Sequence, residues 1–546
     1  MGPHRTTLSR LSHHQGRART PVQGVRPPND RRGRTLTPRR DRHTAPPRGE
    51  TFETDVAVVG AGAAGVAAGI EARDAGARVV VIEQFDAAGG TAIISGGGCL
   101  VVDTPLQQQS EIEDGPELAI ADWLAWGGPT VDADWARFYV EHSLHDVYHW
   151  AETHGIRWIG LSHHEGNTVP RWTRPKNGGL GMMRALIAAF DERGGKLLTS
   201  TKVRRLLVED GRVCGLEGRR GEDVPIRIRA RAVVVATGGF ASNLEMVLTE
   251  RPDLARERIL LGSGRGATGS GHRLVAAAGG ASCHMDNIWF YVHATPDPRD
   301  TSEHRGFVFR KVPGNVWVNQ RGERFHNEAL SGGKSALPAL LAQRPRHCWA
   351  VLDSAMAKSL EIADPYYQTG DVSSRERVNE LLETSPHIKK GHTLEQLAIA
   401  TGMPTAVFAQ TITRYNSFFA AALERDPDHG KPLAGCSPLG VAPYYAIQMF
   451  PLARKTLGGV RTDLRCRVLD EKSEPIAGLY AAGEVAGMAG GHINGAAALE
   501  GTMLGPSLFS GRVAGGWAAK QAGVGRGFVG TPAVSPRRSR STDGPV

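Results

Sequence analysis

The sequence has no long apolar run and few cysteines. It contains no stretch of about 18 or more apolar residues, the length at which a helix can cross a bilayer, so we expect no membrane span. The six cysteines, at positions 99, 214, 283, 348, 436 and 466, form no Cys-x-x-Cys pair and no group with histidine at metal-ligand spacing. These absences argue against a disulfide framework and a bound metal, and they favour a reduced, cytoplasmic setting.

Excess positive charge is also missing from most of the chain, although the net charge of its 546 residues is +9. Residues 1–50 hold 12 arginines and 3 acidic residues, and residues 526–546 hold 4 arginines and 1 aspartate, which leaves 49 basic and 52 acidic groups between them. A body with this acidic balance does not suit the phosphate backbone of a nucleic acid. We therefore expect no nucleic-acid partner.

The two ends differ from the rest in composition. Both are rich in Arg, Pro, Ser, Thr and Gly and poor in large apolar residues, so we expect residues 1–50 and 526–546 to be disordered. The twin arginines Arg31-Arg32 and Arg39-Arg40 would suit an export signal, but no apolar segment follows them before the glycine-rich motif. A start codon assigned too far upstream would explain residues 1–50 equally well.

The body of the chain begins with a nucleotide-binding pattern. From Asp55 it reads DVAVVGAGAAGVAAGIEARDAGARVVVIEQ, which predicts a strand, a glycine turn, a helix and a second strand, that is, one βαβ unit. Gly60, Gly62 and Gly65 form the pattern G-x-G-x-x-G. The first glycine permits a tight turn, the second lets backbone amides approach a pyrophosphate, and the third packs helix on strand. Ala63 opens the helix, whose N-terminus then faces the phosphates.

Three further positions indicate that the dinucleotide is FAD. Glu83 ends the second strand, where a carboxylate can accept hydrogen bonds from a ribose hydroxyl. The segment RAVVVATGGF carries Thr237 and Gly238 after a buried strand, and the distal segment IAGLYAAGEV carries Glu484. These segments resemble those that flavoprotein oxidoreductases place beside the cofactor, and Glu484 resembles the acid that binds the ribityl chain. Plain NAD dehydrogenases lack the distal segment.

A larger set of motifs resembles the flavoprotein subunits of the fumarate reductase and succinate dehydrogenase superfamily, which also includes ketosteroid and tricarballylate dehydrogenases. The resemblance covers about residues 54–520. The matching stretches are GGT at 89–91 with SGG at 95–97, ATGGF at 236–240, GSGHRLVAAAGGA at 269–281, VNQRGERFHNE at 318–328, TLGGVRTD at 456–463 and GLYAAGE at 478–484.

The resemblance implies an α/β fold in which a Rossmann-type FAD-binding domain is split in sequence by an inserted α+β capping domain. We expect the two parts of the FAD-binding domain at residues 51–299 and 441–525 and the cap at 300–440. The family traps its substrate between cap and FAD-binding domain, and closure of such a cap excludes water from the reacting atoms.

The same resemblance implies which further residues contact the cofactor. They are Gly90, Thr91, Ser95, Gly97, Val203 beside the adenine ring, Thr237, Gly238, Glu484, Gly501, Thr502 and Met503. Membrane enzymes of the family bond a histidine near the Gly-Gly-Thr segment to FAD. No histidine lies between Glu83 and Cys99, so we expect FAD to be held without a covalent bond.

The sequence departs from the family at the positions that carry its chemistry. Gly332 stands where carboxylate-reducing members have a proton-donating arginine, and Ala498 stands where they have an arginine that grips a substrate carboxylate. The tyrosine of the ketosteroid dehydrogenases likewise aligns with Ala497 or Ala498. Arg454 and Lys455 replace the family histidine before Thr-x-Gly-Gly. We therefore expect a substrate that is neither a plain dicarboxylate nor a standard ketosteroid.

Candidates for proton transfer and charge stabilisation come from the other polar residues of the matched segments. The predicted catalytic residues are His293, His326, His492, Arg454 and Lys455. Further candidates beside the same motifs are Lys334, Asn494 and Glu500. Imidazole titrates near neutral pH, and the two cations suit negative charge on reduced flavin or on a carbonyl or carboxylate oxygen.

The expected reaction moves a hydride between a substrate carbon and flavin N5 and a proton at the neighbouring carbon, next to a carbonyl or carboxylate. It inserts or removes a carbon-carbon double bond in a small-molecule substrate, with an electron acceptor or donor that the sequence does not identify. A flavin monooxygenase or amine oxidase is the alternative enzyme class, and a flavin-containing RNA-modifying protein is the alternative suggested by the arginine-rich ends. The direction of the reaction and the oligomeric state stay open.

Overall fold

The computed structural model describes residues 49–221, 223–368, 373–528 and 530. Almost all of the two ends predicted to be disordered therefore lies outside the described residues. No described helix is both long enough and apolar enough to cross a membrane.

The described residues form 23 strands. They are β1 Glu50–Val59, β2 Val79–Ile82, β3 Cys99–Leu100, β4 Trp158–Ser162, β5 Trp172–Pro175, β6 Lys196–Leu198, β7 Thr201–Glu209, β8 Arg212–Arg220, β9 Val224–Val235, β10 Leu260–Leu261, β11 Ser282–Cys283, β12 Ile288–Tyr291, β13 Ala294–Pro296, β14 Gly306–Arg310, β15 Val316–Val318, β16 Cys348–Asp353, β17 Glu361–Ile362, β18 Ile388–Gly391, β19 Tyr444–Met449, β20 Leu452–Thr456, β21 Gly459–Val460, β22 Arg467–Leu469 and β23 Pro475–Ala481.

They also form 15 α-helices, with short 3₁₀ segments at 90–94 and 252–254 and a π-helical turn at 144–149. The α-helices are α1 Ala63–Asp74, α2 Pro105–Gln109, α3 Pro116–Gly127, α4 Ala133–Ser143, α5 Trp150–Thr153, α6 Gly178–Glu192, α7 Leu244–Glu250, α8 Ser270–Ala277, α9 Ala336–Leu341, α10 Ser354–Ala357, α11 Pro365–Gln368, α12 Ser373–Thr384, α13 Leu394–Thr401, α14 Thr405–Ala420 and α15 Leu504–Gln521.

The largest sheet has eight strands, with the order β22-β23-β9-β1-β2-β6 and with β8 and then β7 attached beside β9. The strands β23, β9, β1, β2 and β6 run parallel. The apolar residues of β1 and β2 are buried on both faces of the sheet, as parallel sheets require. The predicted βαβ unit is confirmed as β1, α1 and β2.

Helix α15 packs along α1 at short range. An added β carbon at Gly511 would lie 2.3 Å from the carbonyl oxygen of Ala64, and one at Gly515 would lie 2.2 Å from that of Ala68. Only glycine therefore allows this approach. Because α15 follows directly after Met503, the contact holds the end of the chain's second glycine-rich segment beside the glycine turn before α1.

A second, antiparallel sheet with the order β15-β16-β19-β18 lies in the segment inserted between the halves of the large sheet. Its apolar residues and those of α13 and α14 belong to a second hydrophobic core, which also includes apolar residues between positions 240 and 292. The sheet includes β19 and therefore continues to Met449, beyond residue 440. The exact cap boundaries stay a prediction.

The NE pair of the GERFHNE motif lies in this second core. Glu328 is buried, and its carboxylate accepts hydrogen bonds from Arg324 at 2.8 Å and from the backbone amide of Trp317 at 3.0 Å. The ammonium of Lys431 lies 3.4 Å away, and Arg324 also pairs with Asp426 at 2.6 Å. Burial alone would raise the pKa of Glu328, but Lys431, Arg324 and the Trp317 amide outweigh it and hold that pKa below its ordinary value. The motif thus supplies a structural ion network.

Replacing Glu328 with glutamine is expected to lower the free energy of unfolding by about 3 kcal/mol, because it leaves two buried cations undercompensated. Since the folded-state pKa of Glu328 is lowered, its contribution is complete above its ordinary value of 4.5 and is lost as the pH falls below it. Thermal or urea unfolding at several pH values measures both effects. Glu323→Gln, which removes an exposed pair with Arg321, is the matched control and should cost less than about 1 kcal/mol. An equal loss in both variants would contradict the network's role.

Candidate active site

One large cavity collects most of the sequence-predicted positions. Its volume is about 2810 Å3, and its walls come from the eight-stranded sheet, the loops that follow its strands and the inserted segment. Pockets for one small ligand hold about 300–1,000 Å3. The cavity therefore has room for a cofactor and a second ligand together.

The glycine turn before α1 forms one wall of the cavity. Gly60 has a φ of +104°, and an added β carbon there would lie 2.4 Å from the carbonyl oxygen of Ala236. At Gly65 an added β carbon would lie 1.8 Å from the carbonyl oxygen of Gly60. At Gly62 the nearest protein atom would be the α carbon of Gly90, 3.9 Å away. The first and third glycines thus serve packing, while the second borders open space.

Helix α1 presents an uncapped N-terminus at this wall. No side chain caps it at Gly62, so its first amides have no side-chain acceptor among the described residues. The amides and the helix dipole suit the negative charge of a pyrophosphate. Nearby, the hydroxyl of Thr237 is buried without a hydrogen-bond partner in the described part of the chain. These groups fit the dinucleotide that the sequence predicts.

Glu83 is fixed at the end of β2. One of its carboxylate oxygens accepts a hydrogen bond from the amide of Ala61 at 3.0 Å, and the other accepts one from the amide of Phe85 at 3.1 Å. The side chain lines the cavity although the residue is only 7% exposed. Each carboxylate oxygen keeps a further lone pair, so the group can also accept a hydrogen bond from a ribose.

Most of the other predicted FAD contacts share the same cavity. Those that line it are Gly60, Gly62, Ala63, Glu83, Gly90, Thr91, Ser95, Gly97, Val203, Thr237, Gly238, Glu484, Gly501 and Met503. Gly65 and Thr502 are not among the lining residues. Gly65 packs α1 on β1, and the Thr502 hydroxyl donates to the carbonyl of Leu499 at 2.6 Å. The contacts themselves stay predictions.

The loop after β23 is held to β20 by a carboxylate. Glu484 accepts hydrogen bonds from the amide of Thr456 at 3.0 Å and from its hydroxyl at 3.3 Å. An added β carbon at Gly239 would lie 2.5 Å from the same carboxylate oxygen. Glu484 therefore joins three of the family motifs, TGG, TLGG and AAGE, at the cavity wall.

Opposite charges meet in another part of the cavity. The hydroxyl of Tyr291 donates a hydrogen bond to Glu500 at 2.7 Å. Burial raises the pKa of Tyr291 well above its ordinary value, and Glu500 raises it further, so the phenol stays protonated at neutral pH. Burial lowers the pKa of Lys455, whereas Glu484 and Glu500 oppose that shift. A tyrosine, a carboxylate and an ammonium group therefore face one chamber.

Arg454 adds a second cation to this chamber. Its guanidinium donates to the backbone carbonyls of Gly262 and Ile94, the latter at 3.4 Å. Burial lowers its pKa, and the nearby charges of Arg310 and Arg305 act in the same direction. Arg454 makes no hydrogen bond to a carboxylate among the described residues, so its charge is available to an anionic oxygen.

His293 also lines the chamber. Burial and the charge of Arg310 lower its pKa to about 4, so its imidazole is neutral at pH 7. Its Nδ1 atom is buried without a hydrogen-bond partner among the described residues. A neutral histidine with a free ring nitrogen can orient a ligand, but it is a poor proton donor at neutral pH.

The structure does not bring the other two predicted histidines to the cavity wall. His326 stacks near Trp317, and its Nε2 lies 2.8 Å from the carbonyl oxygen of Leu330. The Nδ1 atom of His492 lies 3.4 Å from the sulfur of Cys283. Neither is among the described residues that line the cavity.

Two neutral residues fill the places of the missing family arginines. An added β carbon at Gly332 would lie 3.2 Å from a carboxylate oxygen of Glu165 and 3.3 Å from the ring of Trp289. Ala498 is buried, and its carbonyl accepts a hydrogen bond from the Trp126 indole at 3.2 Å. No long side chain fits at Gly332 unless Glu165 or Trp289 moves.

Sequence reasoning missed Tyr291 and Arg310 as residues of the chamber. Tyr291 lies two positions before His293 in the WFYVHATP segment, so a strand pattern in which alternate side chains share a face would have paired the two. Arg310 belongs to no matched motif. Only the inserted segment's fold brings it to the cavity.

Comparison with known proteins identifies the class. A family model described as "FAD binding domain" matches residues 55–504. An NADH:fumarate oxidoreductase of Klebsiella pneumoniae (strain 342) is 30% identical over 473 residues, which is 86% of this chain but 48% of that protein. The chain thus spans about half the length of that relative.

Two further proteins match more of their own length. A probable fumarate reductase of Shewanella frigidimarina is 32% identical over 480 residues, which is 87% of this chain and 76% of that protein. The crystal structure of a 3-ketosteroid-Δ4-(5α)-dehydrogenase from Rhodococcus jostii RHA1, in complex with 4-androstene-3,17-dione, has 27% identity and a TM-score of 0.65. The match covers 87% of this chain and 100% of that one.

The fold, the cavity and these matches define an FAD-binding protein with a mixed α/β fold. The chain belongs to the fumarate reductase and succinate dehydrogenase flavoprotein superfamily of FAD-dependent oxidoreductases. The predicted family, the fold class and FAD as the cofactor are confirmed, and its non-covalent attachment stays a prediction.

Proposed function

We propose that this protein inserts or reduces a carbon-carbon double bond next to a carbonyl or carboxylate group. The observation that supports the proposal is the chamber in which the Tyr291–Glu500 pair faces the cations Arg454 and Lys455. When bound, FAD supplies the hydride exchange with the substrate carbon. The protein's own residues then have to move one proton and stabilise one oxygen.

Glu500 is the proposed proton-transfer residue. Tyr291 occupies one of its oxygens, Oε1, and no hydrogen bond to the other is found among the described residues. A carboxylate held in one orientation can take a proton from an activated carbon or return it. Tyr291 positions the group, because its phenol stays protonated and donates.

Arg454 and Lys455 are the proposed oxyanion site. Loss of a proton next to a carbonyl or carboxylate places negative charge on that oxygen, and two preorganised cations can stabilise that charge. Lys455 is the more adaptable of the two, since its ammonium makes no hydrogen bond within the described part of the chain. His293 would orient the substrate through its free Nδ1 atom.

The domain organisation belongs to the same proposal. We infer that residues 51–299 and 441–525 form the FAD-binding part and that residues 300–440 form a cap over it. The antiparallel sheet β15-β16-β19-β18 supports a separate cap, although its strand β19 lies beyond residue 440, and Lys334 links the two parts because its ammonium donates to the carbonyl of Trp126 at 2.6 Å. Closure of the cap over the chamber would exclude water. A small-molecule substrate, an electron donor or acceptor and a cytoplasmic location complete the proposal, the last supported by the six free cysteines.

An anaerobic flavin screen tests the proposal. Saturated and unsaturated carboxylates, ketones and enones are added to oxidised and to photoreduced protein, and the visible absorption of FAD is followed. The proposal requires that one saturated compound bleaches the oxidised flavin or that one unsaturated partner reoxidises the reduced flavin. The contrary result is a protein with full FAD occupancy whose flavin responds to none of these compounds but which hydroxylates a substrate with NADPH and oxygen. Such a protein would be a monooxygenase.

The mode of FAD attachment gives a separate prediction. Because no histidine lies between Glu83 and Cys99, we expect trichloroacetic acid to release the flavin completely. After centrifugation the yellow colour and the FAD fluorescence should be in the supernatant. Colour that stays in the protein pellet would show a covalent bond.

A further inference from the structure

The chamber contains a third cation, which comes from the inserted segment. Arg310 ends β14 and lines the cavity. One of its terminal nitrogens lies 3.9 Å from the point that a β carbon on Gly96 would occupy. Arg310 therefore reaches across from the proposed cap to the Ser95–Gly97 loop, which carries predicted FAD contacts.

Arg310 has no ion pair among the described residues. Its Nε atom is also buried without a hydrogen-bond partner there. Its charge lies close enough to lower the pKa values of His293 and Arg454, whose own burial acts in the same direction. Neither Glu500 nor Glu484 pairs with Arg310 among the described residues: Glu500 accepts a hydrogen bond from Tyr291, and Glu484 accepts hydrogen bonds from Thr456.

Neighbouring cations of the inserted segment behave differently. Lys311 pairs with Glu361 at 2.5 Å. Arg299 pairs with Asp297 at 2.8 Å and with Asp364 at 3.0 Å. Arg310 stands opposite Glu361 across the β14–β17 pair, but Glu361 forms its ion pair with Lys311, and none with Arg310 is found among the described residues.

The half-buried guanidinium of Arg310 lines the cavity without an ion pair among the described residues, so its charge is available to an anionic ligand there. Its planar donor fork matches a carboxylate better than any other common group. We propose that Arg310 is a specificity-determining residue that binds a carboxylate of the substrate. This inference rests on the proposed function and adds the substrate class.

Arg310, on β14, would then bind the substrate carboxylate in place of the family arginines that are missing at Gly332 and Ala498. Gly332 has no side chain and faces Glu165 and Trp289, and Ala498 is apolar. Because Arg310 belongs to the inserted segment and its target to the chamber, a bound carboxylate would also link the two parts. A ligand that contacts both parts is therefore expected to favour the arrangement in which the cap is closed over the chamber.

Two matched pairs of probes test the inference in the FAD-loaded protein. Benzoate and acetate are titrated against benzamide and acetamide, which have the same shapes without the charge, and the shift in flavin absorption gives each Kd. We expect at least one acid to bind at least about 10-fold tighter than its amide. Arg310→Gln should lower this ratio, because only Arg454 and Lys455 then remain to bind the charge, and Arg310→Lys should keep more of it than Arg310→Gln does. Arg321→Gln, which removes an exposed cation of the same segment, should keep all of it.

The charge ratio separates recognition from folding, since a variant that only loosens the structure weakens acid and amide alike. The inference is overturned if Arg310→Gln keeps the wild-type ratio, if the wild type binds acid and amide equally, or if it binds none of the four probes. The proposed function fails differently, when the wild-type flavin responds to no alkane or alkene of the anaerobic screen. If the flavin responds to neutral enones while Arg310→Gln keeps the wild-type acid-to-amide ratio, the proposed function is supported. The role assigned to Arg310 is then wrong.

Discussion

Glu500→Gln is expected to lower turnover by about 10²- to 10⁴-fold while FAD stays bound. The range is that of a lost general acid or base. Glutamine keeps the size of the side chain and can still accept the hydrogen bond from Tyr291, which is 2.7 Å long in the wild type. What it loses is the ability to take up and return a proton. Single-turnover flavin bleaching with the substrate found in the anaerobic screen measures the effect.

Two comparisons make this result specific. Tyr291→Phe keeps the carboxylate but frees its orientation, so its loss of rate should be smaller than that of Glu500→Gln. Glu471→Gln changes an exposed carboxylate outside the cavity and should leave the rate unchanged. If Glu500→Gln turned over at the wild-type rate, proton transfer would have to be assigned to another group of the chamber, and the role proposed for the Tyr291–Glu500 pair would be wrong.

Gly62→Ala and Gly65→Ala are expected to fail in different ways. At Gly62 an added methyl group meets no protein atom closer than 3.9 Å, so the apoprotein should unfold at nearly the wild-type temperature. The methyl group points into the space where backbone amides would meet the pyrophosphate. Loss of one hydrogen bond to a charged group corresponds to about 10- to 100-fold weaker FAD binding.

At Gly65 the same methyl group would stand 1.8 Å from the carbonyl oxygen of Gly60. Backbone atoms cannot rotate away, so α1 has to shift from β1, at a cost of about 3 kcal/mol or more in unfolding free energy. FAD titration by fluorescence quenching and thermal unfolding of the apoprotein distinguish the two variants. Gly62→Ala protein that binds FAD as tightly as the wild type would contradict the placement of the pyrophosphate at this turn.

Prediction from the sequence succeeded for residues whose role depends on their spacing within a short segment. The roles of Gly60 and Gly65 follow from their spacing, and the close contacts with Ala236 and Gly60 bear them out. Glu83 follows from its place at the end of a second strand. These residues lie in one βαβ unit, whose geometry is repeated in many proteins, so spacing alone carries the information.

Prediction was weaker where the chamber is assembled from distant segments. His326 and His492 lie beside matched motifs, but one contacts the carbonyl of Leu330 and the other the sulfur of Cys283. Neither histidine lines the cavity. The spacing of motif residues does not predict the direction of a side chain in an irregular loop. Arg310 was missed for the converse reason: it lies outside every motif and reaches the chamber only because β14 pairs with β13 and β17.

Glu328 shows a third limit. A motif shared with a family can be retained for packing, and here the carboxylate serves Arg324, Lys431 and the Trp317 amide inside the second core. Sequence alone does not separate such a buried ion network from a catalytic carboxylate, because both need the same residue types. The burial of the carboxylate and the identity of its hydrogen-bond partners distinguish the two cases.

The central claim is that the cavity beside the glycine turn binds FAD, and the stoichiometry of FAD in the folded protein tests it most directly. The purified chain, or its apoprotein titrated with FAD and freed of excess by gel filtration, is predicted to carry one FAD per chain with the absorption of a bound flavin. Folded protein that emerges colourless and retains no added FAD would contradict the assignment of the site.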